Sequence, residues 1–358
     1  MAVQITKKEK KDMKKNILSK FVNHKPICRG ISSNKKYQVE TSDGHRYFLC
    51  IANISKYTHM EAVFKMMETA AAADIPMCRP VEFGKTLTCE GKIECYMLLG
   101  YIDGVNLKDL LPSLSINEQY SLGIQAGRIL RKIHTIPSPN IDDACSTYST
   151  RLVHMMDRVI EDLRKYNESR KYDDLEKMIL FYNKNKHLMA NEPQCFLHGD
   201  YHIANMMLEN DEIKIVDFGD CEFGVSWYDF RQIIRNATPS PHFAKGQLHG
   251  YFAGTPAPEL YPVIAFYLSI GLLKSISRSL SKEGLVEYLL RIISKSLRWI
   301  DNMQSGASDF FLLSLEAAEE SMRLQSAIME LNNLYNSKSW QITRPLRKLA
   351  NFVRKWFY

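Results

Sequence analysis

One stretch in the middle of the chain, HGDYHIANMMLENDEIKIVDFGD, sets polar residues in two short loops on either side of an apolar run. The first loop carries His198, Asp200 and Asn205, and the second carries Asp217. Carboxylate and amide oxygens are the ligands that Mg²⁺ prefers, and a nearby carboxylate can accept the proton of a hydroxyl group. The spacing therefore favours metal-assisted chemistry on a hydroxyl over simple turns, although Asp, Asn and Gly are also common turn residues.

The same spacing occurs in protein kinases, where H-x-D is followed after four residues by Asn and later by D-F-G. Here HGD precedes Asn205 by that interval, and DFG, which contains Asp217, follows the run IKIV. Phosphoryl transfer predicts that Asp200 acts as the base or the orienting group for the acceptor hydroxyl. It also predicts that Asn205 and Asp217 bind Mg²⁺, while His198 braces the loop by hydrogen bonding.

The form H-G-D resembles the aminoglycoside phosphotransferase family, which also includes choline-kinase-like enzymes. The resemblance includes four further segments in the same order: RGISSNKKYQVETSDG, YMLLGYIDG, GRILRKIHTI and SWYDF. It implies an α+β, bilobal protein-kinase-like fold with a small β-rich N-lobe and a larger helical C-lobe. It also implies phosphorylation of a small-molecule hydroxyl group with ATP or GTP as phosphate donor and Mg²⁺ as cofactor.

The resemblance further implies which residues bind the nucleotide. Ser33, Asn34 and Lys35 would lie over its phosphates, and Leu99 and Tyr101 would border its base. A Ser-Asn-Lys turn is common in any hairpin, so this part of the resemblance rests on its place in the chain rather than on its composition.

Two positions depart from the family. Cys50, in the stretch YFLC of the predicted strand HRYFLCIA, stands where the family has Lys or Arg, and Val63 stands where the next helix has the partner Glu. Glu61 is two positions away, on another face of the helix. Losing both members of an ion pair leaves no uncompensated charge. Either a loop lysine, Lys35 or Lys36, contacts the phosphates of an active kinase, or the protein is a catalytically weak pseudokinase scaffold in cell-surface polysaccharide assembly.

The elements that position these residues change in type along the chain. Strand patterns with one helix over residues 58–73 fill the first part, whereas helical periodicity dominates the rest. We therefore predict a nucleotide-binding N-lobe over residues 1–100, a helical C-lobe over 101–304 and a helical tail over 305–358.

The tail combines apolar stripes at helical spacing with a basic, aromatic end, SKSWQITRPLRKLANFVRKWFY. The stripes predict a short coiled coil or a helix packed on the body. The end resembles a terminal motif of some bacterial polysaccharide-assembly proteins, and as an amphipathic basic helix it suits an anionic membrane surface. The tail therefore predicts a peripheral membrane contact or a coiled-coil partner, with packing on its own body as the alternative.

Composition excludes several other classes. The net charge of +7 over 358 residues is modest and no nucleic-acid-binding module accompanies it, so we expect no nucleic-acid partner. The N-terminus lacks the apolar region of a secretory signal, and the chain shows no run of about 18 apolar residues, so we expect no membrane-spanning helix. The eight cysteines lack zinc-site spacing, which favours reduced thiols in a cytoplasmic protein, either free or at the inner face of the membrane.

The acceptor is predicted only by class. The tail favours a sugar or glycan-related acceptor, and an aminoglycoside or macrolide antibiotic is the alternative. A polycationic aminoglycoside needs an acidic cleft, for which the helical lobe offers Asp157, Glu161, Asp162, Asp173, Asp174 and Glu222. Basic residues alternate with these along the chain, as on a solvated helix face.

Overall fold

The N-terminal part of the chain forms an antiparallel sheet. The computed structural model describes residues 16–28, 34–88, 90–139, 144–189 and 193–304. The described strands are β1 (Asn23–Pro26), β2 (Lys35–Glu40), β3 (Arg46–Asn53), β4 (Pro80–Leu87) and β5 (Ile93–Gly100), and their order across the sheet is β1-β2-β3-β5-β4. The sheet contains two hairpins, because β2 pairs with β3 and β4 pairs with β5.

The two faces of this sheet have different surroundings. One face carries a buried apolar cluster formed by Ile17, Val39, Leu49, Ile51, Tyr96 and Leu98. The other, which we call the cleft face, carries Lys36, Phe48, Cys50, Met97 and Leu99, because directly opposed residues of antiparallel strands point the same way. Helix α1 (Tyr57–Ala72) lies on the cleft face, where Sδ of Met60 is 3.7 Å from Sγ of Cys95.

Helices dominate the chain beyond this sheet. They are α2 (Leu107–Leu110), α3 (Ile116–Ile133), α4 (Ala144–Asn167), α5 (Asp173–Lys184), α6 (Ile233–Ala237), α7 (Pro241–Phe252), α8 (Tyr261–Ser277) and α9 (Glu283–Gln304). The short strands between them are β6 (Val105–Asn106), β7 (Cys195–Leu197), β8 (Met206–Glu209), β9 (Glu212–Ile215) and β10 (Glu222–Gly224). Helix α3 begins at a capping box formed by Ser115 and Glu118. The architecture is therefore α+β with a β-rich and a helical lobe, as predicted.

Helices α3 and α7 cross at very short range, because glycines face the partner helix on both sides. A Cβ added at Gly127 would lie 2.1 Å from the carbonyl oxygen of Gln247, and one at Gly246 would lie 2.2 Å from a carbonyl oxygen of α3. Gly123 and Gly250 approach the partner backbone equally closely. The two backbones therefore touch directly, with no side chain between them.

Within the described residues, one helical segment, Pro258–Ser277, has the length and composition of a membrane span, with a mean hydropathy of 1.5. The expectation of no membrane-spanning helix stays a prediction. However, 61% of the segment is buried inside the protein, where α8 packs against α4, α5 and α9. That burial is typical of a core helix.

Two sets of predictions fall outside the described residues. They concern the tail over 305–358, with its basic amphipathic end, and Ser33 of the nucleotide loop. Both stay predictions.

Candidate active site

The HGD loop, residues 198–205, follows the buried strand β7 and turns sharply at Gly199. This residue has a φ of 82°, a left-handed conformation that side chains disfavour. A Cβ here would lie 1.9 Å from the carbonyl oxygen of Asp220, at the end of the DFG loop (residues 217–220). Only glycine fits where these two loops cross, which explains why the motif reads HGD.

The ring of His198 is buried and hydrogen-bonded through both nitrogens. Nε2 donates to the carbonyl oxygen of Val216 (3.1 Å), and Nδ1 accepts from the backbone N–H of Asp200 (3.2 Å). Burial lowers the pKa of His198, which favours the neutral ring. His198 therefore links the two loops and has no nitrogen left for a substrate.

Four donors hold the carboxylate of Asp200. Gln232 Nε2 (2.8 Å) and Arg235 Nη1 (3.0 Å) donate to Oδ1. His202 Nε2 (3.0 Å) and Asn205 Nδ2 (3.1 Å) donate to Oδ2. The side chain of Asp200 is still 27% exposed, so a molecule bound beside it can reach a carboxylate oxygen.

The same donors keep Asp200 ionised. Burial on its own would raise the pKa of Asp200, but the hydrogen bond from His202 and the positive charge of Arg235 outweigh burial and lower the pKa to about 2. A carboxylate with this pKa is a weak base but a good hydrogen-bond acceptor at neutral pH. It is suited to orienting a hydroxyl group.

A tight hairpin brings Asn205 and Asp217 to one place. Strand β8 begins directly after Asn205, and β9 ends two residues before Asp217. The connecting residues Asn210 and Asp211 both have positive φ, 51° and 61°, as a type I′ turn requires. The backbone N–H of Val216 donates to the carbonyl of Asn205 at 3.0 Å, so both predicted metal ligands lie at the base of this hairpin.

The free oxygens at this position fit a hard cation. Among the described residues, neither Oδ1 of Asn205 nor the exposed carboxylate of Asp217 has a hydrogen-bond or ion-pair partner. Asp217 also has a φ of 62°, a strained conformation of the kind that collects at functional sites. The described residues contain no group of three His, Cys, Asp or Glu placed to hold a metal. Any ion here would therefore take further ligands from water and phosphate oxygens, as Mg²⁺ usually does.

A buried carboxylate outside the predicted site anchors the HGD loop. Asp229 accepts hydrogen bonds from the backbone N–H groups of His198 (2.9 Å) and Gly199 (2.8 Å), and from Nε2 of His134 (3.2 Å). The guanidinium of Arg231 is 3.8 Å away. Burial opposes the charge on Asp229, but the bond from His134 and the nearby cations lower its pKa, so Asp229 is ionised.

Known proteins are similar to this chain in sequence family and in fold. A family model described as APH, phosphotransferase enzyme family, matches residues 25–266, more than half of the chain. The chain belongs to this phosphotransferase family. A search of curated proteins found no match.

The fold of this phosphotransferase is similar to two solved structures of low sequence identity. A thermostable mutant of aminoglycoside phosphotransferase APH(4)-Ia, in a ternary complex with AMP-PNP and hygromycin B, has a TM-score of 0.58 and 14% identity, covering 80% of this chain and 95% of that chain. Amicoumacin kinase hAmiN, in complex with AMP-PNP, Ca²⁺ and Ami, has a TM-score of 0.51 and 12% identity. The match covers 77% of this chain and 91% of that chain. The predicted kinase-like fold is therefore confirmed.

Three of the predicted nucleotide-binding residues of this phosphotransferase lie at or beside the cleft face. Leu99 is buried on that face, and Tyr101 follows the end of β5, with the guanidinium of Arg46 5.3 Å from its ring centre. Nδ2 of Asn34 donates to Sγ of Cys50 at 3.6 Å.

Lys35 does not share this position, contrary to its predicted place over the phosphates. It lies opposite Ile51, whose side chain belongs to the buried cluster on the far face of the sheet. There its ammonium group forms an ion pair with Glu94 at 2.9 Å, and this hydrogen bond raises the pKa of Lys35. Side chains alternate along a strand, so of the two adjacent lysines it is Lys36 that points into the cleft.

Helix α1 presents apolar side chains at the position where the family is expected to have the Glu that pairs with the Lys or Arg of the third strand. Val63 is buried on the same helix face as Met60 and Met67. Glu61 lies on another face, where its carboxylate accepts a hydrogen bond from the hydroxyl of Tyr57 at 3.4 Å. The replacement of both charged positions therefore leaves no buried carboxylate at this point in α1.

Nothing in the sequence singles out His202, Gln232 and Arg235 as neighbours of Asp200. His202 lies in the HGD loop, so its position two residues after Asp200 is a weak signal. Gln232 and Arg235 come from a segment 32 and 35 residues further along the chain, and only folding brings them to the carboxylate.

Lowering the pH should remove the stabilising contribution of Asp200 in this phosphotransferase. Its pKa is about 2 in the fold against an ordinary value of 3.8, so the charged carboxylate stabilises the fold above pH 3.8 and this contribution is lost as the pH falls towards 2. The difference in free energy of unfolding between the wild type and Asp200→Ala should therefore be larger at about pH 5 than at about pH 3. Urea titrations at both pH values measure the difference. An equal difference at both pH values would contradict a donor-bound, ionised carboxylate.

Proposed function

We propose that this protein is a small-molecule kinase that transfers the γ-phosphate of ATP or GTP to a hydroxyl group. The observation that carries the proposal is the carboxylate of Asp200, ionised, partly exposed and fixed by four donors next to Asn205. Asp200 would accept a hydrogen bond from the acceptor hydroxyl and aim its oxygen at the γ-phosphorus. The acceptor oxygen forms the new P–O bond, the bond to the β-phosphate oxygen breaks, and Asp200 takes the hydroxyl proton late because its pKa is low.

Asn205 and Asp217 are the residues that would hold Mg²⁺ in this reaction. Bound there, the ion would neutralise charge on the nucleotide phosphates. The unpartnered oxygens of both residues at the base of one hairpin support this assignment. The amicoumacin kinase and the APH(4)-Ia structures, solved with AMP-PNP, support a nucleotide as phosphate donor.

The cleft face of the sheet would receive the nucleotide. Leu99 and Tyr101 would border the base, and Asn34 would lie near the phosphates. The division that we propose is a nucleotide-binding lobe over residues 1–100 and a helical lobe over 101–304 that supplies the HGD and DFG loops. His198 and Asp229 would act by positioning the HGD loop rather than by touching substrate.

For the acceptor we propose a sugar or sugar-containing molecule without several positive charges. Acidic side chains of the helical lobe that could attract a polycation are already paired: Asp157 with Lys186 at 3.0 Å, Glu161 with Lys165 at 2.7 Å and Asp174 with Lys177 at 3.0 Å. In addition, the guanidinium of Arg235, bonded to Asp200, is half exposed beside the candidate reaction centre. A cation next to Asp200 favours a neutral or anionic acceptor over a polycationic antibiotic.

The scaffold alternative draws on Cys50, Val63 and the tail, whereas the carboxylate of Asp200, held by four donors, and the free oxygens of Asn205 and Asp217 support phosphoryl transfer. ATP and GTP are abundant in the cytoplasm, so we place the protein there. The tail, residues 305–358, is proposed as its contact with the inner membrane face or a coiled-coil partner.

Nucleotide binding should raise the thermal stability of the full chain. Mg²⁺-ATP or Mg²⁺-GTP at about one hundred times its dissociation constant should add about 2.7 kcal/mol to the free energy of unfolding. Melting temperatures with nucleotide and Mg²⁺, and with nucleotide and EDTA, test this and its metal dependence. No shift with either nucleotide would overturn the proposed kinase and favour the scaffold.

A further inference from the structure

The register of β2 and β3 puts a lysine directly across from Cys50. Lys36 pairs with Cys50, and Cys50 pairs in turn with Met97 of β5. Directly opposed residues of an antiparallel pair have Cβ atoms about 4.5–5.5 Å apart and point to the same face. The ammonium group of Lys36 therefore leaves the sheet on the cleft face, beside the small uncharged side chain of Cys50.

The cleft face is also the side on which the DFG loop lies. Sγ of Cys221, just after that loop, is 3.8 Å from Sδ of Met66 in α1, the helix that covers this face. The charges of Lys36, Asp217 and Lys56 all act on the thiol of Cys50. Cys50 therefore has both the predicted metal-binding carboxylate and two cations in its surroundings.

The two cations near Cys50 differ in their contacts. Nζ of Lys56 donates to Oδ1 of Asn34 at 2.7 Å, and Asn34 donates in turn to Sγ of Cys50, so Lys56 holds the edge of the nucleotide loop. The ammonium group of Lys36 has no hydrogen-bond or ion-pair partner among the residues that the structure describes. It is therefore the cation on this face whose donors are open to a ligand.

We propose that Lys36, on β2, supplies the ammonium group that binds the nucleotide phosphates. Cys50 contributes by being small and neutral, because a second lysine directly opposite Lys36 would place like charges side by side, which destabilises a strand pair. An ammonium group offers three donors to phosphate oxygens and fits this ligand as a point charge. This inference rests on the proposed kinase function and assigns the donor-binding cation within it.

The test measures how the full chain binds Mg²⁺-ATP and Mg²⁺-GTP by calorimetry, with adenosine and guanosine as probes that lack phosphates. Lys36→Met should weaken triphosphate binding by about 10- to 100-fold, the range for one lost charge-assisted hydrogen bond, and leave nucleoside binding unchanged. Lys35→Met should weaken triphosphate binding far less, because the ammonium group of Lys35 lies on the far face of the sheet. Lys92→Met, at the exposed β4–β5 turn, is the matched control and should behave as wild type.

A rescue experiment separates charge from general damage. The double variant Lys36→Met with Cys50→Lys moves the cation across the strand pair and should recover most of the lost triphosphate affinity. Binding of triphosphate by Lys36→Met within about twofold of the Lys92→Met control would overturn the assignment of Lys36, as would a double variant no better than Lys36→Met. A wild type that binds neither nucleotide would overturn the proposed kinase function itself, so the two failures are distinguishable.

Discussion

Replacing Asp200 with alanine should lower kcat for phosphoryl transfer by about 10²- to 10⁴-fold, the usual loss when a positioned acid or base is removed. The acceptor hydroxyl would lose the hydrogen bond that aims it at the γ-phosphorus, and its proton would lose an acceptor. Nucleotide binding should change little, because the proposed metal ligands Asn205 and Asp217 stay in place. Release of ADP or GDP with a screened acceptor measures turnover, and the nucleotide-induced melting shift measures binding.

The matched control for this prediction is Asp162→Ala, which removes an exposed carboxylate from α4. It should keep wild-type turnover. Full turnover by Asp200→Ala would show that another group orients the hydroxyl. Loss of the nucleotide-induced shift in Asp200→Ala would show instead that the carboxylate acts in donor binding.

Gly127→Ala should lower the free energy of unfolding by about 3 kcal/mol, the upper end of the range for overpacked cores. A methyl group at this position would lie 2.1 Å from the carbonyl oxygen of Gln247, so α3 and α7 would have to separate. Activity should fall as well, because Gln247 accepts a hydrogen bond from Asn236 (2.7 Å), whose Oδ1 accepts from the backbone N–H of Ile203 in the HGD loop (2.9 Å). Urea denaturation and turnover assays measure the two effects.

Gly284→Ala provides a control with the opposite expected sign. Gly284 lies in helix α9, and a Cβ added there meets no atom within 4 Å. Alanine should stabilise the protein by about 0.4–1 kcal/mol, because it restricts the unfolded chain without a clash. Equal effects of the two substitutions would mean that helix propensity, and not the close helix crossing, decides the outcome.

Local signals in the sequence account for most of the fold. The alternation in KKYQVET and HRYFLCIA, with Asp43-Gly44 between them, marks a hairpin whose turn needs the positive φ of Gly44, 83°. Apolar residues at helical spacing mark α3, which the structure shows over Ile116–Ile133. Both signals come from residues that are neighbours along the chain.

Contacts between distant segments were not predictable in this way. The pairing of Lys36 with Cys50 depends on strand register, which decides that Lys36 and not Lys35 faces the cleft. Gly123 and Gly246 are separated by more than a hundred residues, and no single helix pattern shows that they meet. The bond from Arg235 to Asp200 likewise depends on how the segment containing Asp229 folds back against the HGD loop.

The contact between Gly199 and the carbonyl of Asp220 has a consequence for motion. Side chains that touch can change rotamer and let two segments slide, but two backbones in direct contact have no such freedom. The HGD and DFG loops should therefore move as one rigid unit. In the proposed kinase, an opening that admits a nucleotide would come from displacement of the β-sheet lobe relative to that unit.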